Sequence, residues 1–226
     1  MNAFGNTATI MARMTTRRSS SRLGGLALAG ISIFASTCAL AQFYRHDLDW
    51  VAVPLSFYLL GPGGLWLRAA YFVMAASLTL LGIGLYRELS APARSAAPLL
   101  LFIVAAVALC VVAVADTNTW AHLATFHGFI HGVAAQTTFL CVTVAMLLQA
   151  ARMRLDAYWR PRFKRALAGA TVCFVALWVQ GLWRALPRGL SQKVLVLMIL
   201  AWLATVALTL WRDDRSPAAK AARLPR

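Results

Sequence analysis

The residues with the greatest capacity for chemistry are two histidines four positions apart, His127 and His131, each followed by a glycine. On a helix this spacing places both imidazoles on one face, about one turn apart. Two such side chains make half of a zinc site, although the Glu that stands between the histidines of helical metalloproteases is absent. The spacing therefore predicts a candidate metal or acid–base site that needs further ligands from elsewhere in the chain.

Candidates for the remaining groups are Asp116, which a short loop joins to His127, and His46 in an earlier loop. A bound zinc ion would lower the pKa of its water toward about 7, and a carboxylate such as Asp116 would orient or deprotonate that water. Two alternatives stay open. One is a structural cluster that holds helix ends together, for example an ion pair of Asp116 with Arg184 or Arg188. The other is contact with the head group of a ligand.

A second segment, residues 54–64, is rich in glycine and proline and contains Gly61 and Gly63. Glycine permits positive φ, and successive backbone N–H groups before a helix can hold an anion. Arg68 follows within about one turn and would add a positive charge. The segment lacks the Lys-Ser/Thr of a P-loop, so a plain turn before a helix is the alternative. Head-group binding by Gly61, Gly63, Arg68 and Arg184 is therefore a hypothesis.

The elements that must position these residues are membrane-spanning helices. Of 226 residues, 61% are hydrophobic and 13% are charged, whereas soluble domains have about 45–50% and about 25%. A net charge of +15 would suggest nucleic acid as a partner, but the charged residues are too few to cover a soluble surface. The composition excludes an ordinary water-soluble enzyme and predicts a membrane protein, with the lipid bilayer as its partner and no nucleic acid.

Six stretches without Asp, Glu, Lys or Arg are each at least 18 residues long, close to the roughly 20 residues that cross a bilayer. A seventh stretch, residues 50–67, is interrupted by Pro54 and by glycines, and it predicts a short interfacial helix and turn. The predicted fold is an all-α, six-helix membrane domain over residues 23–212. A disordered basic flank (1–22) precedes it, and a basic cytoplasmic tail (213–226) follows it. The predicted spans are about 23–44, 65–86, 96–116, 127–150, 165–186 and 193–212.

The distribution of positive charge predicts the orientation. All but five of the 22 Lys and Arg residues fall on one side of the predicted spans, which the positive-inside rule assigns to the cytoplasm. Both termini are then in the cytoplasm, and every histidine lies at the outer side. The protein is expected in the inner membrane of a bacterium. Cleavage of the first span as a signal peptide, before Gln42, is an alternative that would leave five spans. The five exceptions are Arg45, Arg68, Arg184, Arg188 and Lys193.

The order of these motifs resembles a prokaryotic multi-pass membrane family known as domain of unknown function 998. The resemblance covers about residues 23–211. It rests on a Pro-x-Ser-x-Tyr-x-Leu-Gly-Pro-x-Gly motif over residues 54–64, on Asp116 after the third span, and on the His-Gly-x-x-His-Gly motif at 127–132. The chain departs from the family in Gly63, where an aromatic residue is common, and in its strongly basic inner loops. The resemblance implies the fold and the position of a site, but no reaction.

A more distant likeness is to alkaline-ceramidase-like membrane hydrolases, although the number and order of helices differ. By that likeness His127, His131 and His46 would hold zinc, while Asp116 and Ser56 would serve in hydrolysis of a lipid amide or ester. The sequence favours a non-enzymatic membrane protein that binds a lipid, a small ligand or a partner over such a hydrolase. It does not indicate the oligomeric state.

Overall fold

The structure is a computed structural model that describes residues 3–118, 125–183 and 185–212, with side chains from residue 19 onward. Within these ranges the chain is helical and has no strand, which confirms the predicted all-α class. Two short 3-10 helices, Leu55–Leu59 and Arg160–Arg162, lie between the long ones. The six long helices are α1 (Ala3–Tyr44), α2 (Gly64–Glu88), α3 (Ala96–Val114), α4 (Phe126–Met153), α5 (Phe163–Leu182) and α6 (Arg188–Arg212).

All six helices are long and apolar enough to cross a membrane, the first of them over Ser19–Tyr44. The chain is therefore a multi-pass membrane protein. Helix α1 begins at Ala3, inside the flank for which the sequence predicts disorder, because extending an existing helix adds a hydrogen bond for each residue without a new nucleation step. The predicted tail, 213–226, lies outside the described residues.

The helices form a closed ring in which each packs against the next and α6 packs against α1. Short connections make sequential helices antiparallel neighbours. Gly24 allows the ring to close, because a Cβ atom at this position would lie 2.9 Å from the backbone nitrogen of Trp211 on α6. Helix α5 is the least buried span, and its only buried residues are Ala170 and Cys173. The other helices therefore enclose the centre of the bundle.

The two ends of the bundle are named here by their connections. The mouth end comprises residues 45–63, 115–118 and 185–187 with the helix turns next to them, and the base end comprises residues 89–95 and 154–162 with the helix turns next to them. At the mouth end the predicted short helix is confirmed as the 3-10 helix Leu55–Leu59, because Pro54 and the glycines at 61, 63 and 64 prevent a longer one.

The base end is closed by contacts between its two loops. Arg152 donates hydrogen bonds to the carbonyl oxygens of Pro92, at 2.6 Å, and Ala93, at 3.0 Å. Asp156, which is 8% exposed, accepts hydrogen bonds from the backbone N–H groups of Ser90 and Trp159, at 3.0 and 3.2 Å. These charged side chains are thus bound to backbone groups of both loops, and they hold the loops together.

Candidate functional site

The centre of the ring contains a cavity of about 420 Å³, a size typical of ligand-binding pockets. Helices α1, α2, α3, α4 and α6 form its wall, and the 3-10 helix at 55–59 lies over it. On α4 the lining runs from His131 to Val142, a depth of about 16 Å at 1.5 Å per residue. The deeper lining is almost entirely apolar: Phe34, Tyr71, Met74, Leu78, Leu109, Val112, Ala135, Thr138, Phe139, Val142, Val196, Ile199, Leu200 and Leu203.

Polar side chains line the cavity only near the mouth end, apart from Thr138 and the hydroxyl of Tyr71. Thr138 is satisfied within its own helix, because its hydroxyl donates to the carbonyl oxygen of Ala134 at 2.9 Å. The cavity is therefore amphipathic, with an apolar interior and a polar opening. The polar residues of the opening are Ser56, Thr117, Asn118, His131, Arg188 and Gln192.

The end of α3 brings three of the sequence motifs together. The last carbonyl groups of a helix have no partner within the helix, and here side chains supply the missing donors. Arg68 donates to the carbonyl oxygens of Ala113 and Val114 at 3.2 and 3.4 Å, and to the Asp116 carboxylate at 2.5 Å. The partner of Asp116 is thus Arg68, where the sequence suggested Arg184 or Arg188. The Arg68 cation stabilises the C-terminal end of the helix, and Asp116 pairs with Arg68.

His131 completes the same cap from the cavity side. The ring is 4% exposed, and Nδ1 lies 2.8 Å from the carbonyl oxygen of Ala115. A carbonyl oxygen can only accept, so Nδ1 carries the hydrogen, and the tautomer with this hydrogen alone leaves Nε2 as an acceptor. His131 therefore joins α4 to the end of α3, and the residue lines the mouth of the cavity.

The two His-Gly pairs of the motif have different environments. His127 is exposed, whereas His131 is buried. A Cβ atom on Gly128 would overlap the side chain of Asn118, whereas one on Gly132 would meet no atom within 4 Å. Gly128 is needed where Asn118 packs against the first turn of α4.

The first turn of α4 is capped by two polar side chains. The hydroxyl of Thr125 accepts from the backbone N–H of Gly128 at 3.0 Å. The same hydroxyl donates to Oδ1 of Asn118 at 2.9 Å. Thr125 is therefore the N-cap of the helix, and part of the His-Gly motif serves to fix this helix start.

The third predicted metal ligand, His46, is exposed at the mouth end. Its neighbours Arg45 and Asp47 form a bidentate ion pair with N–O distances of 2.6 and 2.7 Å. These hydrogen bonds from Arg45 hold the pKa of Asp47 below its usual range. In the described ranges, no group of three or more His, Cys, Asp or Glu residues is placed to hold a metal ion. Zinc binding by His127, His131 and His46 thus stays a prediction.

Gly61 and Gly63 form the turn that begins α2. Both have positive φ, +76° and +77°, a conformation that side chains with a Cβ atom rarely adopt. Their carbonyl oxygens accept hydrogen bonds from the N–H groups of Gly64 and Trp66, at 3.2 and 3.1 Å. These donors are used within the turn itself. Arg45 lies over the turn and donates to the carbonyl oxygen of Leu60 at 2.5 Å.

The mouth loop is also fixed to the start of α6. The N–H groups of Gly189 and Leu190 donate to the carbonyl oxygens of Ala52 and Val51, at 3.2 and 2.8 Å. These contacts use two of the free donors at a helix start. They also explain why α6 begins at Arg188, earlier than the predicted 193.

Two side chains of α6 extend this attachment to the loop. Oε1 of Gln192 accepts from the N–H of Leu55 at 2.8 Å. Lys193 donates to the carbonyl oxygen of Trp50 at 2.6 Å. The mouth loop is therefore held in place by both backbone and side-chain contacts with α6.

Of the residues predicted from the sequence, Ser56 and His131 line the cavity, while Arg68, paired with Asp116, caps the adjacent helix. Arg184 lies outside the described residues. From the sequence alone, Arg188 is a candidate only for an ion pair with Asp116, and Gln192 has no predicted role. Their spacing of four residues, followed by Val196, is the signal that could have placed them on one face of α6.

Comparison with known families agrees with this architecture. The family described as "Protein of unknown function (DUF998)" matches residues 27–209 of the chain. The chain belongs to this family. No curated protein and no solved structure matches it. The match confirms the resemblance seen in the sequence, and it includes both the glycine-rich mouth segment and the His-Gly motif of this DUF998 protein. Because the family has no assigned function, the geometry of the cavity must carry any functional argument.

Proposed function

We propose that this DUF998 protein binds an amphipathic, lipid-like molecule in its central cavity, with an apolar tail between the helices and a polar head at the mouth end. The observation that carries the proposal is the division of the cavity lining. Polar residues such as Ser56 and Gln192 lie at the opening, and side chains such as Val142 and Leu203 lie deep in the bundle. A hydrophilic ligand would leave its polar groups without partners against this apolar wall.

The dimensions of the cavity support a chain-like tail. Its volume of about 420 Å³ lies within the usual range for small-molecule sites. Its depth along α4 is about 16 Å, roughly half the thickness of the hydrocarbon core. Burial of apolar surface stabilises a bound ligand by about 25 cal/mol for each Å². A molecule with one flexible apolar chain therefore gains most from this shape.

A pair of substitutions on α4 tests the proposal. Ala135 lines the cavity, whereas Val133 on the same helix is 51% exposed on the outer surface. The variant Ala135→Trp fills the cavity, and Val133→Trp adds the same side chain on the lipid side. We expect the full-length chain, purified in mild detergent, to carry an amphipathic molecule in native mass spectrometry. Ala135→Trp should lose this molecule, and Val133→Trp should keep it.

Two results would contradict the proposal. One is a full-length chain that carries no bound molecule and takes up none from added lipid. The other is equal retention of the molecule in Ala135→Trp and Val133→Trp. Because a tryptophan at Ala135 can disturb packing, Val196→Phe on α6 provides a second way to fill the cavity. Circular dichroism and monodispersity confirm that each variant is folded before its lipid content is compared.

We also propose that the protein lies in the bacterial inner membrane with the base end in the cytoplasm, since most of its positive charge is at that end. Arg154 at the base end and His46 at the mouth end are both exposed. A membrane-impermeant maleimide applied to intact spheroplasts should label His46→Cys and leave Arg154→Cys unlabelled. Labelling of Arg154→Cys but not of His46→Cys would show that the orientation is the opposite of the one proposed.

A further inference from the structure

The cations of the mouth end differ in whether a partner already binds them. Arg45 is paired with Asp47, and Arg68 is paired with Asp116. Lys193 donates to a backbone carbonyl oxygen of the mouth loop. Arg188 lines the opening of the cavity, and its guanidinium has no ion pair or hydrogen bond with any residue in the described ranges. Among the described arginines and lysines of this end, Arg188 is therefore the one that remains available to a ligand.

Within the described part of the chain, no acidic side chain is placed to neutralise Arg188 from within the cavity. The described residues that line the cavity include no Asp or Glu. Asp49, elsewhere at this end, accepts from the backbone N–H groups of Val51 and Ala52, at 2.8 and 3.3 Å. The opening thus has a positive charge without a described counter-charge. An arginine fork binds carboxylate or phosphate oxygens in pairs, with charge-assisted hydrogen bonds.

Neighbouring polar groups add a second requirement for the head of a ligand. Nδ1 of His131 donates to the carbonyl oxygen of Ala115, and the tautomer with this hydrogen alone leaves Nε2 as an acceptor. Oε1 of Gln192 is used by Leu55, so its amide N–H groups remain as donors. A head group that matches these atoms carries an anion for Arg188 and Gln192 and a hydroxyl hydrogen for His131. The start of α6 does not supply this site by itself, because the N–H groups of Gly189 and Leu190 bind the mouth loop.

We infer that the ligand is anionic, with a phosphate or carboxylate held by Arg188 and an adjacent hydroxyl group that donates to His131. This inference rests on the proposed function, since it assigns the head group of the same amphipathic ligand. A lipid with a phosphate head group and a free phosphate ester both have this chemistry. Binding experiments with and without an acyl chain separate these two sources.

The test compares two short-chain lipids with identical tails, phosphatidylglycerol and diacylglycerol, added to the full-length chain in detergent. Phosphatidylglycerol has a phosphate anion and head-group hydroxyls, whereas diacylglycerol has a hydroxyl and no anion. We expect phosphatidylglycerol to bind about tenfold more tightly, as a charge-assisted hydrogen-bonded pair provides. Arg188→Gln should remove this preference and leave diacylglycerol binding unchanged. Arg188→Lys should keep part of it.

Arg154→Gln is the matched control, because it removes an exposed arginine at the base end. It should leave the preference for phosphatidylglycerol intact. Equal binding of the two lipids by the unmodified chain would overturn the inference, and so would a uniform loss of both lipids in an Arg188→Gln variant that melts normally. In either case the proposed function would still hold if lipid binding is lost when Ala135→Trp fills the cavity.

Glycerol 1-phosphate is the competitor that has the phosphate group but no acyl chain. We expect it to compete poorly with the short-chain lipid, because it buries no apolar surface. Competition at the same concentration as the lipid, lost in Arg188→Gln, would support the anion site and contradict the proposed role of the apolar cavity. The experiment therefore distinguishes failure of the head-group inference from failure of the lipid-binding proposal.

Discussion

The mouth end and the base end of this bundle use similar residues with different results. At the base end, Arg152 and Asp156 bind backbone groups of the two loops, and Trp159 is 1% exposed. At the mouth end, Arg68, paired with Asp116, caps α3 through its backbone carbonyl groups, but a cavity lies beside this pair and Arg188 faces its opening. Clusters of charged residues therefore do not by themselves mark a site. The site is the place where polar groups without described partners surround an empty space.

The largest expected effect on stability lies at the base end. Asp156→Ala removes the acceptor of the N–H groups of Ser90, Tyr158 and Trp159. Each buried donor left without a partner costs about 1–3 kcal/mol. We expect Asp156→Ala to lose about 3 kcal/mol or more, seen as a lower Tm in detergent.

Ligand preference should not change in this variant, which is the base-end control for the comparison. The structurally conservative change Asp156→Asn, which keeps an acceptor oxygen, should lose less stability. A shift in lipid preference in a folded Asp156→Ala protein would contradict the assignment of the base end to structure alone.

At the mouth end we expect the ion pair of Arg68 and Asp116 to stabilise the fold, with Arg68 contributing more than Asp116. Arg68→Met removes donors from the carbonyl oxygens of Ala113 and Val114 as well as the partner of Asp116. We expect a loss of about 2 kcal/mol in Arg68→Met. Asp116→Asn should lose under about 1 kcal/mol, because this carboxylate is 60% exposed and the pair is screened by water. Thermal unfolding of the two variants measures the difference.

If Asp116 were catalytic, a lipid-hydrolysis assay would instead show Asp116→Asn to be inactive and Arg68→Met to be partly active. A larger loss of stability for Asp116→Asn than for Arg68→Met would also contradict the capping role.

The two glycines of the His-Gly motif give a smaller and sharper comparison. Gly128→Ala pushes a Cβ atom into the side chain of Asn118, whereas Gly132→Ala places it in open space. We expect Gly128→Ala to lose about 1–2 kcal/mol and Gly132→Ala to be neutral or to gain up to about 1 kcal/mol from helix propensity. Chemical or thermal unfolding of the two single variants tests this.

The second substitution Asn118→Ala should restore part of the stability of Gly128→Ala, because it removes the clashing atoms. No rescue in this double variant would mean that the contact with Asn118 is not the cause of the loss.

The smallest effect concerns the exposed histidine. His127→Ala should change stability by less than about 0.5 kcal/mol, as expected for an exposed position. His131→Ala should lose about 1 kcal/mol, because the carbonyl oxygen of Ala115 loses its donor. His131→Asn retains a donor near the position of Nδ1 and should recover part of this loss. Zinc analysis of the same proteins tests the metal interpretation. Stoichiometric zinc that disappears in both alanine variants would support that interpretation.

The fold could be predicted from the sequence because the apolar pattern that encodes it is long and occurs six times. Six charge-free apolar stretches can only be accommodated as membrane helices. Pro54 and the glycines that follow also predicted the short mouth helix correctly, since proline and glycine restrict the backbone locally. These features depend on neighbours in the chain, and so a single sequence contains them.

The site was less accessible because it depends on contacts between distant helices. Sequence spacing placed His127 and His131 on one face of a helix, but it could not show that only His131 is buried against the end of α3. It identified Arg68 and Asp116 as important without indicating that they pair with each other, 48 positions apart. Arg188 and Gln192 are ordinary residues in the sequence, and the cavity alone marks them as candidates for ligand binding.

The measurement that tests the central claim most directly is photo-crosslinking with a lipid that carries a photoreactive group at the end of its acyl chain. We expect adducts on deep cavity residues such as Leu78, Val142 and Leu203, and their loss in Ala135→Trp. Adducts confined to the exposed face of α3, at Val104 and Val107, and unaffected by Ala135→Trp would show that lipid only surrounds the bundle. That result would contradict a lipid-binding cavity.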